Sequence, residues 1–351
     1  MTEPIDSQGV HPHALRFFEE KVTFLFHITD WCNLDCQHCF INAHHFPVHQ
    51  FTVEEISSIV RDMKKLKTTR IAFSGGEPTL HPDLARILEV AVEEGFAPDF
   101  VSNGTLITEE LAEKVKGLVR CVLISVDGPE EYHDTFRGMK GAFQKTMKGI
   151  SALKKKDVPF ALQFTVTKES FPYVEWIAQK ASDLGAESLK LEPLFLGGRA
   201  QEIASSCLTE KEIDELAEFT TRLYGKYLAT TSIYMGIHSK KILTEHPCNA
   251  YACFGSECHR HAENDPREIV ILPDGNVVPV DSCINPRLYM GNIKEKSLLD
   301  VVQEYFGSPQ HSAFLALCKK VFDEQVVSYP YEAIPWSQML AAASWEDMYD
   351  Q

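Results

Sequence analysis

Long apolar runs are missing from this chain of 351 residues, and no stretch approaches the uninterrupted length of a membrane-spanning helix. Residues 1–20 lack the basic-then-apolar pattern of a secretory signal, so a cytoplasmic location is expected. Basic residues are scarce, 34 Lys and Arg against 50 Asp and Glu, for a formal net charge of −16. A field of that sign repels phosphate backbones and anionic lipid, which argues against nucleic-acid and membrane-surface roles. A basic or neutral partner such as a peptide fits better, although solubility alone explains an acidic surface. Internal repeats and low-complexity segments are also absent. Apolar content of 44% and charged content of 24% are those of a globular chain with ample core.

Cysteine is not scarce. Ten cysteines in a chain with no secretory signal argue for metal ligation over a disulfide framework. Cys121, Cys207 and Cys318 are isolated in sequence, and isolated cysteines are mostly small buried hydrophobes. The other seven fall into two groups, one at 32–39 and one at 248–283.

Short β-branched or apolar runs alternate with amphipathic stretches over the first 230 residues. Strands are predicted at 22–28, 70–73, 99–102, 121–126, 160–166 and 188–192, with helices at 53–66, 82–94, 109–116, 142–155, 173–184 and 210–228. Thr52, Thr108 and Thr209 each precede acidic residues as helix N-caps do, and Gly95 and Gly185 sit where helices stop. Six strand–helix units imply an α/β fold, a partial (β/α)6 TIM barrel with its active face at the strand C-termini. From about residue 231 the pattern gives way to cysteine, proline and turn residues. A hairpin is predicted around Pro273-Asp274-Gly275-Asn276, with helices at 297–305 and 311–322. The expected parts are an extension (1–20), the barrel (21–230), a smaller cysteine-rich domain with the hairpin and helices (231–327), and a loosely docked tail (328–351).

Cys32, Cys36 and Cys39 form a C-x3-C-x2-C triplet directly after the first predicted strand. Three thiolates leave a [4Fe–4S] cubane one ligand short, so one iron is open to a non-protein ligand. The competing reading is zinc with a fourth ligand from His38 or His44; zinc pairs more often take C-x2-C spacing. Two further segments stand at strand ends, Ser74-Gly75-Gly76-Glu77-Pro78 after strand two and Ser125-Val126-Asp127-Gly128 after strand four.

The triplet and these segments resemble the radical S-adenosylmethionine (SAM) enzymes over about residues 24–200. The resemblance implies a [4Fe–4S] cluster on Cys32, Cys36 and Cys39 with SAM on the fourth iron. Reductive cleavage of SAM would give a 5′-deoxyadenosyl radical that abstracts a substrate hydrogen. It assigns SAM contacts to Ser74, Gly75, Gly76 and Glu77, to Asn103 after strand three, and to Ser125, Asp127 and Arg137. Leu196 and Gly197, in the loop after strand six, are expected to pack on the adenine.

The hairpin, with Gly291-Asn292-Ile293 after it, resembles the SPASM or twitch extension of peptide-modifying members. Cys248, Cys253, Cys258 and Cys283 are the candidate ligands of one auxiliary [4Fe–4S] cluster, with zinc as the competing occupant. Cys283 falls three residues past the family's position and is alternatively a hydrogen-atom donor. The leading expectation is therefore a radical SAM enzyme modifying a ribosomally made peptide. Two alternatives are a radical SAM enzyme acting on a small molecule or tetrapyrrole, and a non-catalytic zinc or iron–sulfur protein. Expected partners are a reductant such as flavodoxin or ferredoxin and, for a peptide substrate, a separate leader-peptide-binding protein.

Overall fold

The direction in which each strand turns its large side chains decides how the sheet curls. In β1 (Thr23–His27), Phe24 and Phe26 are fully buried in the main apolar core, whereas Thr23 and Leu25 face a cavity. The same split recurs in β2 (Arg70–Ser74), with Ile71 and Phe73 in the core and Ala72 and Ser74 on the cavity. Val122 and Ile124 of β4 (Cys121–Ser125) and Leu189 and Leu191 of β6 (Ser188–Pro193) are likewise in the core. Period-two alternation of this kind bends the sheet around its smaller, more polar face and packs helices on the larger one.

The computed structural model describes residues 23–245, 268–280 and 283–346. With β3 (Asp99–Ser102), β5 (Phe160–Val166) and β7 (Ser232–Met235), strands β1 to β7 lie side by side in chain order, all parallel. The crossover helices are α1 (Val53–Lys65), α2 (Leu84–Glu93), α3 (Glu109–Val115), α4 (Glu130–Phe136), α5 (Ala142–Lys155), α6 (Val174–Leu184) and α7 (Glu210–Tyr227). The expected threonine caps are present: Thr52 and Thr209 close capping boxes, and Thr108 accepts from the Leu111 N–H. Gly185 ends α6 in the left-handed conformation that a side chain would disfavour.

Three features depart from the sequence reading. The strand–helix alternation, expected to end near residue 230, runs one strand further: β7 pairs with β6, Leu189 opposite Ile233. β7 is short and carries exposed Ser232 and Tyr234, so its apolar signal is weak. Next, the C-terminal hairpin joins the same sheet. β9 (Glu268–Ile271) pairs parallel with β1, β10 (Asn276–Val278) returns antiparallel, and β11 (Gly291–Asn292) completes the edge. After β7 come the short strand β8 (His238–Ser239), α8 (Lys240–Glu245), and, past the hairpin, α9 (Leu298–Tyr305) and α10 (Pro309–Val321). Finally, the tail expected to dock loosely forms β12 (Ala333–Ile334), paired with β8, and α11 (Trp336–Glu346). Trp336, Leu340 and Ala343 recur on one helix face and are buried in a second core with Val270, Val278 and Leu317.

Among the described residues, no helix is long and apolar enough to cross a membrane. Because β9 completes the hydrogen bonding of β1, the hairpin and the barrel are expected to unfold together. Ile271→Ala, a truncation at a fully buried position, should cost about 2–5 kcal/mol. In urea unfolding followed by circular dichroism and tryptophan fluorescence, both signals should shift as one transition.

Candidate active site

The cysteine loop leaves β1 and is held in place by backbone contacts on several sides. Cys32 N–H donates to His44 O and His44 N–H to Asp30 O, closing the loop on itself. The buried Asp30 carboxylate accepts from the N–H groups of Val48 and His49 and pairs with the His49 ring. From β2, Gly76 N–H donates to Thr29 O and Glu77 N–H to Trp31 O. A Cβ on Gly75 would lie 2.2 Å from Thr29 O, and one on Gly76 2.2 Å from Trp31 O. Both glycines are therefore required for this approach. From α4, Phe136 O accepts from Gln37 N–H, and Gly138 packs so tightly that a Cβ would stand 2.4 Å from Asp35 O. Helix α4 was not expected from the sequence, although Pro129, the acidic pair Glu130-Glu131 and Gly138 are its start and stop signals.

Each of the three sulfurs receives its own N–H donor. Leu34 N–H reaches Cys32 Sγ at 3.4 Å, Ala43 N–H reaches Cys39 Sγ at 3.3 Å, and Arg137 Nη1 reaches Cys36 Sγ at 3.8 Å. Donors to sulfur stabilise thiolate ligands and raise cluster potential. Without a cation the Cys32 and Cys36 thiols stay protonated. Burial, followed by the charge of Glu77, pushes Cys32 up to about 12, and burial raises Cys36 despite the nearby Arg137. Among the described residues, no three His, Cys, Asp or Glu side chains are gathered as around a single metal ion. A cubane holds its cysteines on separate irons, further apart than the ligands of one zinc. Three donor-supplied thiols face one cavity, as the cysteine ligands of a cubane would.

Behind Cys36, charges are paired out of reach of water. Arg137 Nε donates to Asp127 Oδ2 at 2.5 Å, and Asp127 Oδ1 accepts from Thr165 N–H. Burial would raise the Asp127 carboxyl, but Arg137 holds it below the usual carboxylate range. His38 stacks on Phe136 at 4.2 Å, and burial and Arg137 hold its imidazole down at about 3, so it is neutral. His27, facing inward at the end of β1 with its ring edge-on to Phe40, is fully buried with no partner at either nitrogen; burial holds it down at about 4.

The cavity brings together many of the residues singled out in the sequence, but not all. Cys32, Cys36, Cys39, Ser74, Gly75, Gly76, Asn103, Ser125 and Arg137 line a cavity of 1220 Å³. Glu77 does not: its buried carboxylate accepts from Thr79, from Ser102 Oγ and from Asn103 N–H, tying β2 to β3. Asp127 faces Arg137, and Leu196 is 43% exposed outside the lining. Gly197 touches the C-terminal part: a Cβ there would lie 2.1 Å from Cys283 Sγ and 3.1 Å from Phe40 O. The other proposed auxiliary ligands, Cys248, Cys253 and Cys258, lie outside the described residues.

Two positioning residues were missed. Arg199 donates from its backbone to Cys39 O and from its guanidinium to Cys36 O and Ala43 O, clamping the cysteine loop from β6. Asn33 accepts from Asn103 Nδ2 and donates to Thr105 Oγ1. Arg199 follows Gly197-Gly198 at a strand end, a signal that pointed to it.

The interior of the barrel is hollow where its inward layers carry small or polar side chains, among them Ala72, Ala161, Ser188, Gln163 and Lys190. TIM barrels are normally plugged by bulky branched residues at such positions. The C-terminal part adds an apolar wall of Met290, Phe314, Trp336 and Leu340. The volume exceeds the ~300–1,000 Å³ of a usual small-ligand pocket, leaving room for a cofactor and a second molecule.

Residues 26–179 match the Radical SAM superfamily. The chain is 33% identical over 212 residues to an AdoMet-dependent heme synthase of Oleidesulfovibrio alaskensis, covering 59% of this chain and 53% of the relative. It is 29% identical over 262 residues to an Fe-coproporphyrin III synthase of Methanosarcina barkeri, covering 71% and 66%. The chain thus spans about half to two thirds of these curated relatives. The fold is also that of SuiB from Streptococcus suis, solved with its precursor peptide SuiA: TM-score 0.66 at 14% identity, over 93% of this chain and 79% of SuiB.

Removing Arg137 leaves the Asp127 carboxylate buried without its ion-pair partner. Arg137→Met should cost about 3–5 kcal/mol, while Arg137→Met with Asp127→Asn recovers much of it; urea unfolding of the set checks this at pH 7. His27 supplies a pH test. Its unfolded value is ~6.5, so between there and about 4 the unfolded chain binds a proton that the folded chain refuses. Stability therefore falls as pH drops through that window, by up to about 1.4 kcal/mol per pH unit from this group. In His27→Phe that share of the slope should vanish, measured by urea midpoints at successive pH values.

Proposed function

We propose that this chain, which carries a radical SAM domain over residues 26–179, is a radical SAM enzyme acting on a tetrapyrrole. Cys32, Cys36 and Cys39 would hold the [4Fe–4S] cluster, and cavity-lining residues of the loops after β2, β3 and β4 would hold SAM. When bound, the cluster and SAM would supply reductive carbon–sulfur cleavage and the radical chemistry that removes a substrate hydrogen atom.

The chain's own residues would do the rest. Gly75 and Gly76 admit the β2 loop to the cysteine loop, Arg137 and two backbone N–H groups stabilise the thiolates, and Arg199 fixes the loop against β6. Asn103 and Ser125 present polar groups to the cavity where a SAM carboxylate or ribose would need them. The deep barrel keeps the reacting atoms away from bulk water.

The observation that carries the substrate class is the amphipathic cavity, which joins three thiols to an apolar wall and a charged strand face. A flat macrocycle with carboxylate arms needs that combination. The relatives named as heme and Fe-coproporphyrin synthases support the same class. The peptide substrate expected from the hairpin is the competing reading; in its favour the hairpin does lie beside β1. A second cluster on Cys248, Cys253, Cys258 and Cys283 is also proposed, with Cys283 already seated against the loop after β6.

Anaerobic incubation of iron-replete protein with SAM, a reductant and Fe-coproporphyrin III should yield 5′-deoxyadenosine together with a mass change in the tetrapyrrole. SAM cleavage with the tetrapyrrole unaltered would turn the assignment to a peptide. No cleavage at all would remove the enzyme reading. In the Cys32/Cys36/Cys39→Ala variant cleavage should cease, and about four retained irons, the content of a [4Fe–4S] cubane, would establish the auxiliary cluster.

A further inference from the structure

The polar part of the cavity is ordered. Strand register sets Gln163 of β5 beside Lys190 of β6, and Lys190 beside Tyr234 of β7. All three side chains line the cavity. Neighbouring strands lie ~4.8 Å apart, so an amide, an ammonium and a phenol form one continuous row. Lys190 pairs with Glu192, the next inward residue of β6, and the two side chains are 29% and 27% exposed. Glu192 lies against β7: a Cβ on Gly236 would come within 2.7 and 2.9 Å of its two carboxylate oxygens. Glycine at 236 gives the acid its place beside the ammonium.

A lysine halfway up a barrel wall is unusual, because charged side chains are rarely placed inside a fold. The other strand and loop cations of this cavity are held in pairs as well. Arg70 and Arg120 both bind Asp99, and Arg137 binds Asp127 and Cys36. Arg70 and Arg120 stand at the N-terminal ends of their strands, Arg137 behind the cysteine loop. Lys190 alone among them sits mid-strand, facing the hollow between two uncharged hydrogen-bonding side chains.

We propose that Lys190, flanked by Gln163 and Tyr234, binds a carboxylate of the substrate and so selects for carboxylate-bearing amphipathic ligands. Lys190 supplies the charge, and the Gln163 amide and Tyr234 hydroxyl supply neutral donors on either side. The apolar body of the ligand then rests on the wall of Trp336, Leu340, Phe314 and Met290. This rests on the tetrapyrrole reading and adds to it the group that is recognised.

The test is an absorbance titration of the protein with coproporphyrin III, which carries four propionates, and with its tetramethyl ester. Lys190→Met should weaken binding of the acid at least about tenfold, the effect of losing a hydrogen bond to a charged group, and leave the ester unchanged. Lys190→Arg should recover part of the loss. SAM binding measured by calorimetry reports whether each variant is folded. If Lys190→Met does not fold, Tyr234→Phe takes its place, with a smaller loss confined to the acid. Unchanged acid binding in a folded variant would overturn the carboxylate assignment and leave the tetrapyrrole reading standing. Failure of both porphyrins to bind the wild type would overturn both.

Discussion

The site depends on backbone-to-backbone contact around residues 29–44. A loop carrying three thiols has little packing of its own, a small cluster of Cys32, Leu34, Cys36 and Ala43. Its shape comes from the chain segments that touch it. Gly75 and Gly76 press on it from β2, Gly138 from the end of α4, and Gly198 from β6, where a Cβ would lie 2.5 Å from Cys39 O. At each of these contacts a methyl group would overlap a carbonyl of the loop. The loop is thus fixed by hydrogen bonds and by close backbone approach, with only that small apolar cluster beneath it. Its precision is inherited from the rigid strand ends that deliver those glycines.

That constraint explains what could be read from the sequence. The triplet, Gly75-Gly76 and Gly197-Gly198 were visible because glycine pairs at strand ends are rare and mark close approach. The six expected strands were visible because their alternation is strong and their helices carry threonine caps. Less visible was what depends on pairing over long distances. The register that sets Lys190 between Gln163 and Tyr234, or β9 beside β1, is not written in any local window. Likewise, Glu77 looks in sequence like a ligand-facing acid in a glycine-rich loop. Only the fold turns it inward onto Ser102 and Asn103. The helical face of Trp336, Leu340 and Ala343 was legible by spacing, but proline and aromatic residues before it suggested a loose tail.

A hollow barrel has to be stabilised from outside. Phe24, Phe26, Phe73, Phe100 and Phe164 are all fully buried, and burial of one such side chain is worth about 1.5–3 kcal/mol. They stand on the strand faces turned from the cavity, so the helix layer carries the stability while the inner face is left for ligands. The C-terminal part shares in this division. One face of the hairpin packs Val270 and Val278 against α10 and α11, and the same helices present Phe314, Trp336 and Leu340 to the cavity. One packing arrangement therefore stabilises the edge of the sheet and shapes the apolar wall.

Charge is distributed by the same logic. The surface is strongly acidic, yet beside the cysteine loop the fold cancels charge locally. Asp127 and Arg137 neutralise each other, and burial keeps His27, His38 and His133 uncharged at neutral pH. The reduction potential of an iron–sulfur centre depends on net local charge, on donors to its sulfurs and on solvent exposure. Here Asp127 and Arg137 cancel each other, the donors are one per sulfur, and Cys32 and Cys36 are buried. The environment around the three cysteines is therefore set by short-range contacts from this chain, and the acidic field of the surface is left to act on solubility and on what approaches from outside.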